Sequence, residues 1–256
     1  MRALDRFRSL DPVILWLTLG LLVFGLIMLW SATGPVAIAR TDSSLFFVKR
    51  QLINGIIPGL VLFFALSIID YRVWRPLALF AMIGSLILLL LVFIPGIGIE
   101  LGGARGWIHF GSVTLQPSEL VKLSFLIYLS AWLASREGQR EQHTLENGLV
   151  PFLAALGSVV LLIVMQPDTG SMSIIVLMSL FVYFLSGAPL KWFVSLSVLG
   201  AGLLTLLIRH SQYRAARFMA FLHPELDPLG VGYHINQAIL AIGSGGWFGL
   251  GYGHSR

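Results

Sequence analysis

GGARGWIHFGSVTLQPSELVKL, residues 102–123, decides how this chain is read. It lies between two long apolar runs and places Arg105 first, then Pro117 in the opening turn of a helix, then Glu119 and Lys122 at the mouth of that helix. Proline suits a first helical turn because its missing N–H would have no partner there in any case. In hydrocarbon an ionisable side chain costs at least about 2.5 kcal/mol, so a membrane helix that carries both an acid and a base marks a site.

Outward from that stretch, the composition sets the class. Hydrophobic residues make up 57% of the 256 residues and charged residues 11%, against roughly 25% charged in a soluble domain. This is the composition of a polytopic membrane protein, whose unit of length is an apolar run of about 20 residues crossing roughly 30 Å of hydrocarbon. Such runs lie near 12–30, 48–69, 76–95, 116–134, 149–165, 171–186 and 190–208, which predicts an all-α protein of seven transmembrane helices. The first run is a retained helix: at about 19 residues it exceeds the roughly 7–15 of a signal peptide, and further spans follow. The whole of 1–256 reads as a single transmembrane domain, with loops at 96–115, 135–148 and 209–256.

Charge gives orientation and excludes some partners. The net charge is +5 and the pI near 9.9, but the basic residues are scattered without a stripe, which points to an acidic lipid surface and away from nucleic acid. With no cysteines, disulfides, thiolate metal sites and cysteine nucleophiles are excluded. Arg2, Arg6 and Arg8 precede the first span and put the amino end in the cytoplasm, because the first helix usually dominates orientation. The 135–148 loop is then cytoplasmic, and the 96–115 and 209–256 loops are external. That external face carries Arg40, Lys49, Arg50, Arg105, Arg209, Arg214, Arg217 and Arg256, and so suits an anionic substrate at the outer leaflet.

Each polar residue has a plain reading beside a functional one. Glu119 and Lys122, three apart on one helix face, neutralise each other as a structural ion pair or line a substrate site. Arg50 opens the second span, as a snorkelling anchor or as a grip on a diphosphate. Arg105 is a glycine-loop arginine beside the interfacial Trp107, or a substrate contact. Arg214 and Arg217 form a paired positive surface or are solvated loop charges. Asp168, within the QPDTG break, caps the next helix or partners Lys122 or another buried cation. Ile235, Ala238, Ile239 and Ile242 share a face and predict a short interfacial helix; the glycines from 243 to 253 read as a close-packed turn. The histidines have no metal-ligand spacing, so no metal site is assigned, and no catalytic triad is present.

GARGWIHFGSVTLQPSELVKL, QPDTGSMSIIV and FLHPELDPLGVGYHINQAILAIGSGGWFGLGYGHSR, in this order along essentially the whole chain, resemble the shape, elongation, division and sporulation family of FtsW, RodA and SpoVE. FFVKRQL at the opening of span two and the ending FGLGYGHSR resemble the FtsW branch more than RodA. The resemblance implies a ten-helix fold and a peptidoglycan glycosyltransferase that polymerises lipid II at the external face of the bacterial cytoplasmic membrane, in cell division or cell-shape maintenance. It implies a class B penicillin-binding transpeptidase as partner and leaves a divalent cation cofactor open. Carried over residue by residue, it makes Arg50, Arg105, Arg214, Arg217, Gln237 and Ser244 substrate-binding, and Gln116, Ser118, Glu119, Lys122 and Asp168 cavity-shaping. Asp227, Pro228, Gly230, Gly232, Tyr233, Gly243, Gly245 and Gly246 match its long external loop. The family's aspartate base lies in an LPE-x-x-x-DF segment that does not occur up to Arg256. No catalytic residue is therefore assigned in this chain, which reads as a carboxy-terminally shortened copy lacking three spans and is expected to be inactive by itself. A lipid II flippase and a non-catalytic division scaffold are the alternative readings.

Overall fold

The computed structural model describes residues 11–41, 43–101, 104–110, 113–136 and 144–254. The chain forms two compact units, Met1–Asp70 with Ala220–Arg256, and Tyr71–Met219.

In the first unit, α1 (Pro12–Thr41) is followed by α2 (Phe46–Ile68). Apart from the basic opening of α2 at Lys49 and Arg50, both expose apolar side chains, with Trp16, Leu21 and Val61 more than 60% exposed, which in water would be an aggregation surface and in lipid is the expected exterior. The middle of α2 widens into a π turn at Leu52–Ile56, just ahead of Pro58. A proline ring clashes with the carbonyl one turn back, and a widened turn relieves that clash. The same device recurs in the second unit, where the π turn Leu145–Leu149 precedes Pro151. The first unit also holds α9 (Tyr233–Gly245), which contains the apolar face of Ile235, Ala238, Ile239 and Ile242.

The second unit carries the core. It contains α3 (Trp74–Leu91), α4 (Pro117–Ala134), α5 (Val150–Met165), α6 (Thr169–Leu185) and α7 (Leu190–Arg209), followed by the opening turns of α8 (Gln212–Leu222). Buried side chains recur at three- and four-residue steps: Val121, Phe125, Leu129 and Leu133 on α4, and Phe152, Leu156, Val159 and Ile163 on α5. Each set is one helix face packed on its neighbours. Small polar residues allow close approach, and the hydroxyls of Ser85 on α3 and Ser124 on α4 meet at 2.6 Å. Such pairs hold helices together where hydrophobicity alone gives no preference between protein and lipid. At the opposite end of α4 from Pro117, the Arg136 guanidinium lies 4.9 Å over Trp132 and bonds the Asn147 carbonyl, tying the end of α4 to the start of the next helix.

Two features depart from the predicted loops. Residues 96–115, expected as a loop, contain three antiparallel strands in the order β1-β2-β3: Gly98–Leu101, Ala104–Phe110 and Val113–Leu115. The turn into β1 is tight enough that a Cβ on Gly98 would run into the Val92 carbonyl. In β1 and β2, Ile99 faces Trp107 and Leu101 faces Ala104, so Glu100 stands opposite both Arg105 and Gly106, and β2 is bulged there. The 209–256 stretch, expected as a loop with one short helix around Ile235–Ile242, contains that helix as α9 and a further one, α8.

Among the described residues five helices are long and apolar enough to cross a membrane: Pro12–Gly34, Phe46–Ile68, Tyr71–Leu91, Leu145–Met165 and Leu190–Arg209. Thr169–Leu185 is a shorter apolar helix, and Pro117–Ala134, which carries the ion pair, is not among the five. The architecture is that of a predominantly helical, multi-pass membrane protein.

Candidate functional site: a polar cap at one end of the second unit

At one end of the second unit the C-terminal ends of α3 and α5, the N-terminal ends of α4 and α6, the small sheet and α8 come together. Every helix end leaves backbone groups without partners in its own helix, and here side chains distant in sequence supply them.

Asp168 is the centre of this cap. It is the N-cap of α6, accepting the Ser171 N–H at 3.0 Å on Oδ1. Its Oδ2 accepts from Gln116 Nε2 at 3.1 Å and from Ser118 Oγ at 3.2 Å. The Ser118 hydroxyl also lies 3.2 Å from Ser171 Oγ. With its own proton committed to Asp168, Ser118 must accept from Ser171, which closes a ring of polar groups between the starts of α4 and α6. Two positive helix ends thus converge on one carboxylate, the sign the macrodipole favours. Asp168 is therefore a cap with neutral donors and not a partner of Lys122.

Glu119 and Lys122 pair with each other as their spacing requires, Nζ to Oε1 at 2.7 Å. Their side chains are 56% and 22% exposed, so the pair sits at the lip of the cap and outside the buried core. Arg105, on the β2 bulge, is half-buried, and its side chain forms no hydrogen bond or ion pair among the described residues. A bulge at such a place re-aims a side chain out of the regular ladder.

The two arginines of α8 do not form one paired surface. Arg214 turns inward and donates from Nη2 to the Val164 carbonyl at 2.9 Å, closing the C-terminal end of α5, where a cation is favoured by the helix dipole. Arg217 is exposed and lies 5.0 Å over the Tyr213 ring. Below Val164, a lateral apolar groove of about 530 Å³ runs between α5, α6 and α7, lined by Val160, Val164, Met172, Val176, Leu204 and Leu207 among others.

The remaining predicted residues belong to the first unit. Arg50 is exposed on α2, and Gln237 and Ser244 are exposed on α9. Ser244 lines a cleft with Met28, Ser31 and Tyr252, where the Gly253 N–H bonds Ser31 Oγ at 2.8 Å. In the loop before α9, Asp227 accepts the N–H groups of Gly230 at 3.0 Å and Val231 at 2.9 Å. Gly232 comes so close to the chain that a Cβ would stand 2.5 Å from the Pro224 carbonyl oxygen. The residues of DPLGVG are thus there to fold the loop.

Sequence reasoning missed Gln166 and Ser171. Ser171 carried a usable signal, since it stands three residues after a cap aspartate, where the N-cap bond falls. Gln166 carried none: its partner is the Leu89 carbonyl, 77 residues away.

A helical, multi-pass membrane protein with a polar cap tied across its helix ends is the class defined by fold and site. The FtsW/RodA/SpoVE family model, described as a cell cycle protein, matches residues 12–256, and the chain belongs to that family. It is 38% identical over 248 residues to "Stage V sporulation protein E" of Bacillus subtilis, covering 97% of this chain and 67% of that protein. It is 34% identical to "Probable peptidoglycan glycosyltransferase FtsW" of Trichlorobacter lovleyi, covering 98% and 65%. Among solved structures it is similar to a chain of a peptidoglycan synthase complex that coordinates polymerization and crosslinking, with TM-score 0.61, 30% identity and coverage of 88% and 65%. It is similar also to the rod shape determining protein RodA of Thermus thermophilus, with TM-score 0.51, 32% identity and coverage of 70% and 58%. The chain spans about two thirds of the length of these curated relatives.

Proposed function

We propose that this chain forms the lipid-handling part of a peptidoglycan glycosyltransferase, which polymerises lipid II into glycan strands at the external face of the bacterial cytoplasmic membrane. The family relationship along 12–256 supports the reaction class. The observation that carries the site is Arg105, half-buried on a bulge at the mouth of α4 and without an ionic partner among the described residues. In this reaction a sugar hydroxyl attacks the anomeric carbon of the growing strand, and the undecaprenyl diphosphate leaves with the bonding electron pair. A cation placed where that charge develops lowers the barrier. Arg105 has this role here; Glu119 and Lys122 shape the lip, and the groove below Val164 has the apolar lining that a polyprenyl chain requires.

The same reading takes the seven apolar helices as seven spans, with the amino end cytoplasmic and the polar cap external. Arg50, Arg217, Gln237 and Ser244 are assigned to lipid II or its glycan, and a penicillin-binding transpeptidase is the partner. The proton-accepting aspartate is assigned to the LPE-x-x-x-DF segment, which residues 1–256 do not contain. The test is an Arg105→Ala change in a protein that includes that segment, assayed for polymer from lipid II. Loss of one such donor is expected to lower turnover by roughly 100-fold or more; unchanged turnover removes Arg105 from the site.

A further inference from the structure

Gln166 is wholly buried in the turn between α5 and α6. Its Nε2 donates to the Leu89 carbonyl at 3.0 Å, one of the last four carbonyls of α3, which have no acceptor role within their own helix. Its Oε1 is buried and has no hydrogen-bond partner among the described residues. That oxygen lies 3.6 Å from the point where a Cβ on Gly106 would stand, so it faces the bulged backbone of β2 next to Arg105. Buried acceptors are rarely kept without a donor, and a bulge is where a strand's own ladder leaves a residue unpaired.

We propose that Gln166 is a positioning residue for Arg105. Its amide nitrogen fastens the α5–α6 turn to the end of α3, and this holds its carbonyl oxygen packed against the Gly106 backbone of the bulge, fixing the neighbouring arginine for a polyprenyl diphosphate. A bulge gives β2 slack at the residue that must meet the anion, and a tethered side chain packed against its backbone removes that slack. A preordered arginine loses less freedom on binding, and the gain appears as affinity for the charged group. The inference rests on reading Arg105 as a diphosphate contact.

The test compares binding of undecaprenyl diphosphate and of undecaprenol to the 256-residue chain in nanodiscs. Gln166→Met keeps the shape of the side chain and removes both polar atoms. It is expected to weaken diphosphate binding roughly tenfold, to leave undecaprenol binding unchanged, and to add little to Arg105→Ala. Equal loss for both lipids, no loss, or the same loss in the Arg105→Ala background overturns the proposal, since a structural role would show one of those patterns. If Arg105→Ala itself leaves diphosphate binding intact, the diphosphate reading fails first and this inference falls with it. Should Gln166→Met not fold, Gly106→Val presses a branched side chain onto Oε1, which a Cβ alone would meet at 3.6 Å in ordinary contact, without touching the Leu89 bond. It is expected to give the same selective loss, and a non-selective loss or none is the overturning result.

Discussion

The carboxylate of Asp168 accepts from a side-chain amide, a hydroxyl and a backbone N–H, and these come from both α4 and α6. Asp168→Ala removes a helix cap and strands two donors from α4, and should destabilise the protein by about 2–4 kcal/mol, read as a fall in thermal midpoint in detergent. Asp168→Asn keeps one acceptor oxygen and should lose less. Glu119→Gln behaves differently, because its partner is 22% exposed and Glu119 itself 56% exposed. Partly exposed pairs contribute about 0–1 kcal/mol, so a large fall in midpoint for Glu119→Gln would contradict a lip position. The three-residue spacing of Glu119 and Lys122 made their pairing legible from sequence. The partners of Asp168 were not, because Gln116 and Ser118 lie 52 and 50 residues away from it and meet it only through packing.

Among elements, helices were readable and their connections were not. Apolar runs of spanning length announce themselves through composition, and the apolar face of α9 shows at helical spacing in Ile235, Ala238, Ile239 and Ile242. The small sheet did not, since β1 and β3 are only 4 and 3 residues long, too short for an alternating pattern to stand out from a glycine-rich loop. The loop of Asp227 shows the same limit. Its glycines showed in the sequence only as a match to the family's external loop, while the structure makes Gly232 a packing requirement beside Pro224. Gly232→Ala should therefore loosen the loop, seen as faster amide exchange at Gly230 and Val231, whose N–H groups Asp227 holds. Unchanged exchange would show that the loop does not depend on that close approach.

For the whole molecule, the number of crossings is the property to test, and the absence of cysteine makes the test clean. Single cysteines at Ser43, Thr144, Ser186 and Ser211 can be labelled with a membrane-impermeant maleimide in intact spheroplasts. Seven crossings with a cytoplasmic amino end place 43 and 211 outside and 144 and 186 inside. If only the five longest helices cross, Thr144→Cys becomes labelled from outside, because α4 no longer returns the chain to the cytoplasm. The position of α4 thus decides the topology, and α4 is the helix that gives up apolar length to carry Glu119 and Lys122.

By itself the sequence determined the class, the places of the apolar helices, the family and the local ion pair. Each of these is set by composition or by residues a few positions apart, where chain geometry leaves little choice. Tertiary structure alone decided that Asp168 takes its donors from α4, that Arg214 closes α5 while Arg217 stays outside, and that Gln166 sits between α3 and the Arg105 bulge. Those outcomes depend on which helix ends become neighbours. Once they do, the backbone groups left open at each end must be met by whichever side chain the packing brings within reach.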